Sequence, residues 1–287
     1  MRFPATVVMG ATGRIGRLLH FMWSADPSAD RSVTWQGRVR PAWDTGEWCL
    51  CDPLIDPGPL AQRAMQAQQI LCLAGVVPGQ GRDLDDNIAL GLAAVQAARP
   101  GARVLLASSA AVYGAAPSPL HEDNPPTPAQ GYGRAKAEME ARAADLGAAR
   151  GVSVCALRIG NIAGFDAALG GWRAGFGLDR FADGQTPRRS YIGVATLARV
   201  FEHLLCLPDL PPVLNIAQPA PVAMGALLDA ADRSWQARPA PPSAIPEVTL
   251  DVTRLQRLLP PEALPPATAT GLVAEWSAVK DAWSIAP

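Results

Sequence analysis

The sequence predicts an α/β fold, a doubly wound parallel sheet followed by a small C-terminal lobe. Three observations lead there. Short continuous apolar runs alternate with helical patterns, as in a parallel sheet covered on both faces. The first run, Thr6 to Met9, ends in Gly10, Gly13 and Gly16 at the spacing G-x-x-G-x-x-G and passes into a helical pattern at Leu18, Leu19, Phe21 and Met22. Composition then shifts near residue 165, where Gly164 to Gly184 is rich in glycine and aromatics.

Taken in order, Ser32 to Gln36 reads as a second strand and Trp48 to Cys51 as a third, followed by Asp52. Ile70 to Ala74 is a fourth, closed by Gly75. Leu84 to Ala98 puts Leu84, Ile88, Leu92 and Val95 on one helical face. Arg103 to Ala107 is a fifth strand, the alanine-rich Tyr132 to Leu146 a helix, and Val152 to Leu157 a sixth strand. Further on, Leu197 to Leu207 is a helix, Val213 to Ile216 a strand and Met224 to Trp235 a helix. The proline-rich Arg238 to Pro246 reads as an extended connection, and Leu255 to Leu259 and Ala274 to Trp283 as short terminal helices. The expected division is 1–164 for the sheet domain and 165–287 for the lobe, with some late segments returning to the sheet.

Bulk properties narrow the function. The 287 residues carry 25 Lys and Arg against 26 Asp and Glu, a net charge of −1, which argues against nucleic acid or an anionic membrane as partner. A hydrophobic content of 49% is ample for a core. No apolar run is long enough to span a bilayer, and the first is broken by the glycine turn, Arg14 and Arg17, unlike a signal peptide. Cys49, Cys51, Cys72, Cys155 and Cys206 form no C-x-x-C pair and have no nearby histidine, so buried reduced thiols are expected and no metal site. A cytoplasmic enzyme with a small-molecule substrate fits.

Strand, glycine turn, helix is a way to bring backbone up to a pyrophosphate. Gly10 permits the turn, Gly13 leaves room for the phosphates, Gly16 lets the helix approach the strand, and the helix N-terminus offers N–H groups to the anion. Tyr132 and Lys136, four apart on a helix, share a face, and a nearby ammonium is expected to lower the tyrosine pKa for proton transfer at a carbinol or carbonyl oxygen. Alone, such a pair is as readily an incidental surface feature. Ser108 and Ser109 follow the fifth strand, at the sheet edge where a dinucleotide would lie. The three features in this order are far more specific than any one.

At this point the chain resembles the extended short-chain dehydrogenase/reductase superfamily, the NAD(P)-dependent epimerases, dehydratases and reductases built on a Rossmann sheet. Asp52 resembles the acid that contacts adenine, and Asn87 the asparagine opening the fourth helix. Ser109, Tyr132 and Lys136 match the catalytic set, with Glu140 further along the helix. His121-Glu122-Asp123 to Pro128, Leu157-Arg158-Ile159-Gly160-Asn161-Ile162-Ala163-Gly164, Arg189 to Val194, Leu214 to Ala217 and Asp251 to Leu255 resemble later family segments. The resemblance implies that Tyr132 is the general acid/base, that Lys136 tunes it and holds the nicotinamide ribose, and that Ser109 orients the reacting oxygen. It implies cofactor contacts from Gly10, Thr12, Gly13, Arg14, Ile15, Gly16, Arg38, Asp52, Ala74, Asn87, Tyr132 and Lys136, and substrate contacts from Ala111, Asn161 and Arg189. It also suggests a homodimer through the helices at Leu84–Ala98 and Tyr132–Leu146.

Departures are informative. No carboxylate lies between Asp30 and Asp44; the second strand ends in Gln36-Gly37-Arg38, with Arg40 close behind and Arg14 between the glycines. An arginine pairs with a 2′-phosphate where an acid would repel it, so NADP is favoured over NAD. Ala111 replaces a threonine, Phe165 a proline, and Ala195-Thr196 an Asp-Asp pair, and the C-terminal lobe is short beside typical nucleotide-sugar enzymes. These changes question a nucleotide sugar more than redox chemistry. The leading expectation is an NAD(P)-dependent oxidoreductase with free cofactor exchange; the alternative is a sugar-nucleotide epimerase or dehydratase, and behind both stands a non-catalytic NADP-binding redox sensor.

Overall fold

A strand that is apolar along its length must be covered on both faces, and Thr6–Met9 is buried at every position. The computed structural model describes residues 3–25, 31–42, 46–79 and 81–285, with side chains as far as Lys280, so Asp30, Asp44 and the Trp283 ring lie outside the described parts. In chain order the elements are β1 Thr6–Met9, α1 Arg14–Ser24, β2 Val33–Gly37, β3 Trp48–Leu50, α2 Gly58–Ala64, β4 Gln69–Cys72, α3 Asp86–Ala97, β5 Arg103–Ser109, α4 Gly131–Arg150 and β6 Ser153–Ile159. They continue with β7 Asn161–Ile162, β8 Gly177–Arg180, β9 Arg188–Arg189, β10 Tyr191–Ile192, α5 Val194–Cys206, β11 Val213–Ile216, β12 Val222–Ala223, α6 Met224–Ala230, β13 Gln236–Pro239, β14 Glu247–Val248, α7 Thr253–Leu258 and α8 Ala269–Ile285.

The central sheet has the order β11-β6-β5-β4-β1-β2-β3. β1 pairs in parallel with both β2 and β4, so Val7 faces Thr34 on one side and Ile70 on the other. The strand order reverses at β1, and the crevice beyond the carboxyl ends of β1 and β4 is the place where such sheets bind ligands. Met9, Ile70, Cys72, Leu106 and, from the helices, Ile88, Val95 and Met139 fill one core face.

Several elements depart from the sequence expectation. α2 went unforeseen because seven residues starting beside Pro57 and Pro59 show too little periodicity. The helix expected to reach Trp235 stops at Ala230, with Asp232 at φ 52, and the chain returns as β13, which pairs in parallel with β8 where an extended connection was expected. α4 runs on to Arg150 and ends at Gly151, φ 63.

The chain divides into two units. One comprises residues 1–114, 126–158 and 202–214, the other 115–125, 159–201 and 215–287. In the first, α3 is buried at eight of its twelve positions, whereas Arg134, Glu138, Arg142 and Asp145 of α4 are exposed. In the second, the start of α5 lacks an acid of its own. Glu275 of α8 fills that role: Thr196 donates from its backbone N–H to Oε2 at 2.9 Å and from Oγ1 to Oε1 at 2.6 Å. Gly193 makes room, since a Cβ there would fall 2.1 Å from Glu275 Oε2. Among the described residues no helix is long and apolar enough to cross a membrane, and no group of His, Cys, Asp or Glu could hold a metal ion.

Candidate active site

The glycine turn is tight because it has to be. Gly10 has φ +75, and a Cβ there would lie 2.6 Å from the Ala74 backbone nitrogen, so β1 and β4 close on one another only around glycine. A Cβ on Gly16 would meet Ala11 Cα at 2.5 Å, so α1 could not sit this close to the turn. α1 carries no acid in its first turn, which leaves its N-terminal N–H groups and positive dipole end suited to an anion. Beyond the turn lies a cavity of about 450 Å³, bounded by Gly10, Gly13, Arg38, Asp52 and Ala74 among others. A dinucleotide's adenosine half and diphosphate fit these walls: a glycine cradle for the phosphates, Asp52 and Leu54 on one side, and Arg38 at the rim.

The arginines thought to share one phosphate separate. Arg38 lines the cavity. Arg14 does not, and its charge acts on Tyr132, drawing that pKa down. Arg40 turns away, donating to the Gly46 carbonyl at 3.0 Å. Asn87 is fully buried; its Nδ2 donates to the Val76 and Leu84 carbonyls at 2.9 and 2.8 Å, and its Oδ1 accepts from Val76 N–H at 3.1 Å. It holds the loop after β4 in shape, a supporting place and not the open cofactor contact expected of it. Asp52 Oδ1 accepts from Leu54 N–H at 3.0 Å and so shapes the wall it belongs to.

β5 delivers two serines with different surroundings. Ser108 is buried and hydrogen-bonded to Glu140. Ser109 accepts the Ala111 N–H at 3.2 Å, capping the turn that follows, and its hydroxyl lies near enough to Tyr132 to draw that phenol's pKa down. α4 presents Tyr132 and Lys136 one turn apart, with Lys136 Nζ 6.0 Å from the Tyr132 ring centroid. The sequence expectation that the lysine lowers the tyrosine pKa is reversed here. Burial pushes Tyr132 up, and the Ser109 hydroxyl and Arg14 pull it partly back. The reason is that so raised a phenol ionises only after Lys136, 4% exposed and donating to the Ala107 carbonyl at 2.7 Å, has given up its charge. Its own pKa falls to about 8 through burial, with Cys72 and Glu140 opposing.

A neighbouring cluster was missed. Glu140 receives Arg158 Nη2 on Oε2 at 2.8 Å and Nε on both oxygens at 3.1 and 3.2 Å, and the guanidinium lies 4.7 Å from the centre of the buried Tyr113 ring. Burial works against the Arg158 charge, and Glu140 and Tyr113 together raise its pKa. An acid and an arginine far apart in sequence signal nothing until β6 lies beside α4.

The three residues expected to meet substrate are placed less favourably. Ala111 is exposed and brings only a methyl group. In the second unit, Asn161 pairs beside Tyr191, whose hydroxyl donates to Asp166 Oδ2 at 3.0 Å; burial first, then Asp166, pushes that phenol far up, with Asn161 opposing. Arg189 donates from Nη1 to the Arg188 and Pro246 carbonyls at 2.8 and 3.3 Å and from Nη2 to Ile245 at 2.9 Å. Its guanidinium is occupied in holding β9 to the segment before β14.

A doubly wound sheet with a glycine cradle at its switch point and Ser, Tyr and Lys gathered beyond β5 defines a dinucleotide-dependent enzyme. The chain belongs to the NAD dependent epimerase/dehydratase family, whose model matches residues 6–170. Over 67 residues it is 45% identical to the UDP-glucose 4-epimerase of Azospirillum brasilense, a stretch that covers 23% of this chain and 19% of that enzyme. MoeE5, solved in complex with UDP-glucuronic acid and NAD, is 25% identical with a TM-score of 0.72 over 96% of this chain and 99% of that one. The UDP-glucose-4-epimerase of Stenotrophomonas maltophila, solved with NAD and formylated UDP-arabinopyranose, shares the fold at a TM-score of 0.79 and 18% identity, covering 99% of this chain and all of the other, 100%.

Proposed function

We propose that the protein is an NAD(P)-dependent epimerase or dehydratase of a nucleotide sugar, in place of the freely exchanging oxidoreductase that the sequence put first. The observation that carries it is the Ser109–Tyr132–Lys136 group of a chain belonging to this family. The partial match to a UDP-glucose 4-epimerase and the likeness to MoeE5 with its UDP sugar support it. The bound dinucleotide supplies hydride acceptance and return. Tyr132 moves the proton at the sugar oxygen, Ser109 orients that oxygen, and Lys136 holds a positive charge one turn away.

The cofactor reading favours NADP. Gln36 turns inward and Gly37 has no side chain; a Cβ there would come within 3.0 Å of Thr12 Cγ2 and of the Trp48 ring. Arg38 is then the first side chain after β2 able to meet the ribose 2′ position. A second reading, the oxidoreductase, is favoured by Ala111 and by the occupied Arg189 guanidinium, which leave fewer groups for a sugar diphosphate. Incubation with UDP-glucose, followed by analysis for its 4-epimer and by dialysis to test dinucleotide retention, separates the two. Epimer formation with retained cofactor supports the first reading; coenzyme turnover on free exchange, with no epimer, sinks it. A homodimer remains a proposal from the family resemblance.

A further inference from the structure

Gln36 stands out among the buried polar side chains that the reaction does not use. It is 2% exposed and sits at the bottom of the cofactor cavity. Its Oε1 accepts the Gly10 N–H at 3.0 Å, and its Nε2 donates to the Cys51 carbonyl at 2.9 Å. Its own carbonyl accepts the Ala11 N–H at 2.9 Å, and the next carbonyl, of Gly37, accepts the Cys51 N–H at 3.1 Å. One residue therefore joins the turn that cradles the diphosphate to the end of β3, next to Asp52 and Leu54 on the adenosine side.

We infer that Gln36 is a positioning residue for the dinucleotide: its amide ties the glycine turn to the adenosine wall, so both halves of the cofactor meet walls already set at the right spacing. An amide is the side chain this needs. Gly10 offers a donor and Cys51 an acceptor, so the bridge must accept at one end and donate at the other. A carboxylate would set its second oxygen against the Cys51 carbonyl, and a methionine of similar length would leave both backbone groups unmet. The cost would fall on ligands that span both walls. A ligand touching only the adenosine wall does not depend on their spacing.

The test uses the full-length protein, the reduced dinucleotides followed by fluorescence, and 2′-AMP and adenosine, which lack the 5′-phosphate, as adenosine-half probes followed by calorimetry. Gln36→Met is expected to weaken binding of the whole dinucleotide by about tenfold or more, and of the adenosine-half probes by less than about threefold. Gln36→Asn, which keeps the neutral amide but is one methylene too short to reach Gly10 and Cys51 together, is expected to fall between parent and Gln36→Met, and it carries the test if the methionine variant does not fold. At saturating cofactor, kcat should stay within about threefold of the parent, because neither variant touches Tyr132. Equal losses for dinucleotide and adenosine-half probes would overturn the inference, since Gln36 would then shape one wall only. So would unchanged dinucleotide binding in a variant with a lowered melting temperature, which would make it a fold element alone. If the parent protein binds neither dinucleotide, the cofactor reading itself fails and the inference with it.

Discussion

Helix α4 carries two buried charged side chains one turn apart, Lys136 and Glu140, and their surroundings are opposite. Glu140 is saturated: Arg158 grips both of its oxygens and Ser108 adds a hydrogen bond. Lys136 makes one hydrogen bond among the described residues, to a carbonyl, and burial strips its pKa down to about 8. The same contrast separates Ser108, held by Glu140, from Ser109, which faces Tyr132. A polar group that a fold satisfies fully serves the fold; one that it buries and leaves partly unmet is ready for a ligand.

The largest effect that would test this contrast lies at its open end. Tyr132→Phe is expected to lower turnover by about 10² to 10⁴-fold while dinucleotide affinity and melting temperature change little; steady-state kinetics beside cofactor titration decide it, and retained turnover would remove Tyr132 as the acid/base. At the saturated end, Glu140→Ala leaves Arg158 buried without its partner and should cost on the order of 3 to 5 kcal/mol in denaturant unfolding. A loss within about 0.5 kcal/mol, as expected of an exposed substitution, would show that the pair is not holding α4 to β6.

The third prediction uses pH. A lysine whose pKa drops on folding from 10.5 to about 8 binds fewer protons folded than unfolded between those values. Its burial penalty is therefore full below the folded value and disappears as pH rises through the window. The stability of Lys136→Met relative to the parent should fall, by on the order of 3 kcal/mol, between pH 7 and 10.5. A flat difference would mean that the lysine is not desolvated. Smallest, Arg38→Ala should weaken NADPH binding by about tenfold and leave NADH unchanged; equal losses would place Arg38 outside the 2′-phosphate site.

Much of this contrast was readable before folding, and the part that was not has a physical reason. The glycine turn, β1 to β6 and the spacing of Ser109, Tyr132 and Lys136 are local or ordered along the chain, so periodicity and motif expose them. The direction of the Tyr132 pKa was misjudged because it depends on burial, which raises the phenol and strips Lys136 of its charge before the phenol ionises. Spacing on a helix reports neither. Arg189 carried the right charge for a substrate contact, but the carbonyls of 188, 245 and 246 arrive through pairings of two-residue strands too short to leave a pattern. Gln36 read only as the missing acid; that its amide bridges Gly10 and Cys51 needs β1, β2 and β3 side by side.

The carboxylate that α8 lends to the first turn of α5 makes the two helices one unit at their meeting point. With Ala195 and Thr196 and no acid of its own in the first turn, α5 depends on Glu275 to meet its N–H group. The two sites, 79 residues apart in sequence, therefore settle together or not at all. A side chain at Gly193 would push the carboxylate out and undo the joint from the other side, so a segment near the end of the chain governs how a helix in its middle begins.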